Sequence, residues 1–198
     1  MIAEDQYIRF CFFCATYIFS VIAIGCGGSD DAHTVRGALA QAARAVETED
    51  RAALYRVIDR RARAALVSIV KDRAESARTV RADYPPDLQP AALRSLGDAA
   101  GTTDAPGLFA LRCDAGCVAE LGANLGAPVS ESVLGDELQV RTAAGRDVRM
   151  FKGRDGLWGL VWRTQELSEE RLRAARERLQ IEANAEIYRR RLQLEAPR

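Results

Sequence analysis

The chain carries one histidine, His33, and only two lysines, Lys71 and Lys152, among its 28 basic residues. A single histidine leaves too few ligands for the His and Cys sets that hold zinc. His33 lies beside Gly27-Gly28-Ser29-Asp30-Asp31, where nothing fixes an imidazole as a base. No G-x-S-x-G, Walker loop, H-E-x-x-H or clustered carboxylate motif occurs. Charge of one sign is missing too: 28 basic residues meet 28 acidic ones, so the net charge is zero. That removes the basic field on which phosphate contacts and counterion release depend, and no nucleic-acid partner is expected. Pro and Gly, six and fifteen in 198 residues, are too few and too scattered for a collagen, a mucin stalk or a long linker. The absences together predict a chain without metal, cofactor or catalytic site. With 48% hydrophobic and 28% charged residues, what is present fits one ordinary domain with appendages.

The longest uncharged run, FCFFCATYIFSVIAI, covers residues 10–24. It suits a signal-peptide core and is shorter than the roughly 18 to 20 residues that a spanning helix needs. It leads into Gly25-Cys26, and the quartet Ala23-Ile24-Gly25-Cys26 resembles the lipobox of bacterial lipoproteins. The resemblance implies that residues 1–25 are removed as a signal peptide and that Cys26 becomes the acylated first residue. The membrane is then the first partner, held at about 0.8 kcal/mol per buried CH2 of the acyl chains. Residues 26–33 read as a flexible tether. Gly27 rather than Asp follows Cys26, which for such proteins implies sorting to the outer membrane, facing the periplasm. The competing reading is an uncleaved single-pass anchor with Cys26 an ordinary thiol.

Under the lipoprotein reading Cys11 and Cys14 are discarded and Cys26 is lipidated, which leaves Cys113 and Cys117. In an oxidising compartment such a pair forms a disulfide. With Asp114 capping a helix that begins Ala115-Gly116-Cys117, Cys113 sits just outside the first turn and within bridging reach. A redox or metal role is the alternative; the spacing is C-x3-C, not the C-x-x-C of thioredoxin-like sites.

Hydrophobic spacing predicts helices in the first half. Thr34 caps one with Val35, Leu39, Ala42 and Val46 on its apolar side, ending near Glu47. Asp50 opens a second with Leu54, Val57 and Ile58, and Leu66, Ile69, Val70, Ala77 and Val80 mark a third that stops before Pro85-Pro86. Two short helices are expected over 87–96 and 106–125, separated by Gly97 and the Gly101-Thr102-Thr103-Asp104 turn. After Pro128 the period falls to two. Leu138 and Val140, then Val148 and Met150, alternate with polar neighbours, and Asp155-Gly156 is a hairpin signal before a last strand over 157–163. Residues 129–134 supply a fourth, edge strand. A final helix is predicted from Ser168 to about Gln193, with Glu169 and Glu170 at its positive end and Leu167 stapled on Leu172. It carries two opposed apolar stripes, Leu172, Ala175, Leu179 and Ala183 against Ile181, Ala185, Tyr188 and Leu192. Cover for both within the chain is the first expectation; a dimer or partner surface is the second. The fold class is thus α+β: N-terminal helices on a short antiparallel meander, a domain over 34–165 with a helical insertion at about 87–125, and a long C-terminal helix over 166–198.

Ala42-Ala43-Arg44-Ala45-Val46, through Glu49-Asp50 to Leu54-Tyr55-Arg56-Val57-Ile58-Asp59, resembles the opening of the nuclear transport factor 2-like superfamily. Gly156-Leu157-Trp158-Gly159-Leu160-Val161-Trp162 is similar to its closing strands. The resemblance implies an α+β cone around a pocket and leaves the activity open, since the superfamily mixes isomerases and dehydratases with binding modules. An isomerase would need a carboxylate base and a hydrogen-bond donor in one apolar cavity. Tyr55 and Asp59, at i and i+4, are the candidates, with Trp158 and Trp162 lining the pocket. The ordinary alternatives are a solvent-edge tyrosine, a helix-terminal aspartate and a sheet core. Between Arg44 and Arg81 ten basic residues face six acidic ones, a bias that suits an anionic envelope polymer or lipid headgroup and equally a solvated helix face. The leading expectation is a non-catalytic envelope lipoprotein that binds a protein, polymer or small apolar ligand.

Overall fold

Five short polar side chains set where the helices begin. In the computed structural model, which describes residues 31–195, Thr34 Oγ1 accepts the Gly37 N–H at 3.0 Å and starts α1 (Val35–Glu47). Asp50 accepts from Ala53 and starts α2 (Arg51–Val57), and Asp59 accepts from Arg61 and Ala62 and starts α3 (Arg60–Asp83). Each cap satisfies an amide that the first helical turn leaves unpaired. α3 ends where Pro85 and Pro86 have no N–H to continue it. Where two helices were expected, the following segment holds three and a 3-10 turn. They are α4 (Gln89–Ser95), the turn at Asp98–Gly101, α5 (Ala105–Arg112) and α6 (Ala115–Asn124). The break between α5 and α6 falls at Cys113 and Asp114, because Asp114 takes the Cys117 N–H and starts a new helix.

The sheet is an antiparallel meander in the order β1-β2-β3-β4, made of β1 (Pro128–Leu134), β2 (Glu137–Thr142), β3 (Asp147–Lys152) and β4 (Trp158–Leu160). Its register puts Leu138 opposite Met150, Val140 opposite Val148 and Met150 opposite Leu160. Period two then sends this row to one face, where Val140, Met150 and Leu160 are buried with Leu39, Leu54, Leu66, Ile69 and Phe109. β1 is the edge, and its Val129 and Val133 are exposed. β4 is shorter than the seven residues expected. At Leu160 the chain turns from β3 to the α2–α3 junction: Ile58 and Leu160 form a parallel bridge, and the Asp59 N–H donates to the Leu160 carbonyl at 2.7 Å.

The last helix, α7 (Thr164–Glu195), starts four residues before Ser168. The Thr164 hydroxyl donates to the Asp59 carboxylate at 2.6 Å, and Arg163 turns the chain at φ 46°. That tertiary bond outweighs the local Ser168 signal. Leu167 is therefore inside the helix and buried, whereas Leu172 is exposed, so no staple joins them. α7 runs parallel to α3, since Asp59 meets Thr164, Asp72 meets Arg178 and Asp83 meets Arg189 in rising order. Ala174, Ile181, Ala185 and Tyr188 face α3, and Val80, Tyr84 and Ala185 make a small second core at the far end. Between the two cores the seam is polar, with Arg73 paired to Glu177 and Arg178 to Asp72 and Glu182. The opposite stripe is not covered, since Leu172, Leu179 and Ala183 are exposed, and Leu192, expected on the α3-facing stripe, is exposed as well.

Candidate functional site

The residues expected to share a pocket are dispersed, and the local geometry explains why. The i, i+4 spacing of Tyr55 and Asp59 assumes one continuous helix, but α2 ends at Val57 and Asp59 starts α3. Tyr55 turns toward Phe109, ring centroids 5.9 Å apart. Burial raises its pKa above the ordinary tyrosine value, Arg63 lowers it and Asp104 raises it further. Asp59 is 1% exposed, and its carboxylate is spent on two backbone amides, Arg61 Nε and the Thr164 hydroxyl. Trp162 is buried edge-on to Phe109 at 4.8 Å. Only Trp158 of these four lines a cleft.

That cleft, of about 600 Å³, opens between α1, α2, the first turn of α3 and the β3–β4 turn. Its apolar wall is Ala45, Val57, Leu157 and Trp158. Four arginines, Arg44, Arg56, Arg60 and Arg63, surround it against one carboxylate, Asp155. They come from three helices, α1, α2 and α3. Arg56, Arg60 and Arg63 form no ion pair among the described residues. Arg63 is half-buried, and its Nε is buried with no hydrogen-bond partner among the described residues. A low-dielectric wall beside several guanidinium groups attracts an anion, and an anion with an apolar body most of all.

The rim of the cleft joins the amino-terminal segment. The Trp158 N–H donates to the Ala32 carbonyl at 2.8 Å, and Asp31 accepts from Thr34. The last three residues of the expected tether, Asp31 to His33, are thus bonded to the domain. Cys26 lies outside the described residues. Cys113 and Cys117 form a disulfide, with Cα atoms 5.0 Å apart across the α5–α6 break. Cys113 is fully buried. Among the described residues no helix is long and apolar enough to cross a membrane, and no group of His, Cys, Asp or Glu is set to hold a metal.

The sequence carried a faint sign of the cleft. The basic excess between Arg44 and Arg81 was visible, but not that four of those arginines converge on Trp158, which lies about a hundred residues further along the chain. Compared with protein-family models, curated proteins and solved structures, the chain finds no match.

Proposed function

We propose that this protein is a lipid-anchored module of the bacterial cell envelope that binds a ligand rather than transforming one. The arginine-lined cleft over Trp158 carries the reading: it offers charge and apolar surface to a ligand, while Tyr55 and Asp59, the pair an isomerase would use, face different parts of the fold. The lipobox-like Ala23-Ile24-Gly25-Cys26 supports the anchor, and the Cys113–Cys117 bridge suits an oxidising compartment. Three opening helices and, after the further helices α4 to α6, an antiparallel meander support the likeness to the nuclear transport factor 2-like superfamily. Outer-membrane placement follows from Gly27 on the same proposal.

The test is the intact mass of the protein extracted from membranes of a native or closely related host, without reductant. A species that begins at Cys26, carries added acyl mass and lacks two hydrogens is expected. Cys26→Ser should release the protein from the membrane fraction. A full-length, unmodified and reduced species overturns the anchor and makes residues 10–24 a membrane segment.

A further inference from the structure

The geometry points to a phosphate monoester attached to an apolar group as the ligand of the Arg56, Arg60 and Arg63 cleft, an inference that rests on the binding-module reading above. Arg56, Arg60 and Arg63, none with an ion-pair partner among the described residues, all line it. One carboxylate, a monoanion, would leave most of that charge unbalanced; a phosphate monoester carries about −1.5 to −2 at pH 7 and three acceptor oxygens. Guanidinium forks match those oxygens in pairs. Asp155 opposes the anion but is exposed, and one of its oxygens already accepts the Leu157 N–H at 3.2 Å.

The rest of the ligand is read from the wall. Trp158 is half-buried, and its neighbours Val57, Leu157 and Ala45 are apolar. About 600 Å³ lies within the ordinary range of small-molecule sites, far more than a bare phosphate fills. Two sources offer this chemistry, a soluble phosphate monoester and the phosphomonoester headgroup of phosphatidic acid in a membrane beside the proposed anchor.

Calorimetric titration of the full chain in a non-ionic detergent, with phenyl phosphate as probe, decides the matter. Phenyl phosphate should bind, inorganic phosphate and benzoate more weakly, and benzyl alcohol not at all. Arg60→Gln, an exposed site that leaves the fold intact, and Arg63→Gln should each weaken phenyl phosphate by about tenfold or more. Added salt should weaken it as well. Vesicles of phosphatidic acid and phosphatidylcholine, against phosphatidylcholine alone, separate the sources. Binding that needs the anionic lipid and both arginines assigns the headgroup; phenyl phosphate binding without a vesicle response assigns the soluble ester. Equal binding of benzyl alcohol, lost in Trp158→Ser, keeps a binding module but removes the anion. Benzoate binding as tightly as phenyl phosphate, or Gln variants that bind like wild type, overturns the assignment.

Discussion

Replacing Asp59 by Ala tests whether this carboxylate is a structural junction or part of a reaction. The side chain is fully shielded and joins two elements: it caps α3 through Arg61 and Ala62 and meets Arg61 Nε at 3.2 Å, and it receives the Thr164 hydroxyl that starts α7. Loss of an N-cap costs about 1 kcal/mol. Loss of a buried hydrogen bond from Thr164 to a charged acceptor costs about 1.5 to 3 kcal/mol. The Arg61 pair adds little, because Arg61 is partly exposed and keeps Glu137 at 2.6 Å. The terms share one residue and do not add fully, so Asp59→Ala should destabilise by about 3 kcal/mol. Asp59→Asn retains an acceptor for the two amides and should cost about half as much. Urea unfolding of both, and of Thr164→Val with the Asp59→Ala/Thr164→Val double variant, measures this. A coupling of about 1 kcal/mol or more between Asp59 and Thr164 is expected. A loss below about 1 kcal/mol for Asp59→Ala, or no coupling, refutes the junction.

Gly159→Ala would place a Cβ 2.7 Å from Asp59 Cα and 2.9 Å from the Ile58 carbonyl oxygen. Both are backbone, so β4 must part from the α2–α3 junction, and a loss of about 2 kcal/mol in urea unfolding is expected. Reduction of the Cys113–Cys117 bridge, which closes a very short loop, should lower stability by about 2 kcal/mol in the chain-entropy picture, seen as a lower melting temperature with reductant. Tyr55 and Tyr84 both have pKa values raised above the ordinary one, first by burial. The folded state then keeps protons that the unfolded chain releases near pH 10, so stability falls as pH rises from about 10 through the folded values. Phenolate absorbance should show Tyr55 and Tyr84 titrating later in the folded protein than in urea.

Local signals were legible in the sequence, and long-range ones were not. Thr34, Asp50 and Asp114 announce their helices because a cap is a contact across three residues, and the Gly145 and Gly156 turns, at φ 73° and 79°, need only their own backbone. Ser168-Glu169-Glu170 looks like a helix start on the same rules, yet α7 begins at Thr164 because its partner, Asp59, stands 105 positions earlier. The Glu170 carboxylate instead takes both Arg112 nitrogens at 2.6 Å. The opposed stripes of α7 were visible as a pattern. Which one is covered depends on α3, and cover for both would have required an element that the described residues lack. The cleft was the least legible feature, since Arg44, Arg56, Arg63 and Trp158 belong to four elements and no spacing ties them.

The amino-terminal segment and the cleft share a wall, which gives the proposed anchor a consequence of its own. Ala32 bonds Trp158, and the His33 ring lies against Gly156 in the β3–β4 turn. A Cβ on Gly37 would run into the Asp31 carbonyl oxygen, so the segment lies directly on α1. On the proposed anchoring, five positions at most separate Cys26 from this bonded stretch. Fully extended they reach about 18 Å, which would hold the cleft rim at the depth of lipid headgroups. Inserting twenty Gly and Ser residues after Gly28 lets the domain drift by roughly a further 25 Å. The response to anionic vesicles should then fall with the effective concentration, while phenyl phosphate binding in detergent stays at the wild-type value. If the vesicle response survives the insertion unchanged, the tether does not position the cleft, and any headgroup binding rests on the cleft's arginines alone.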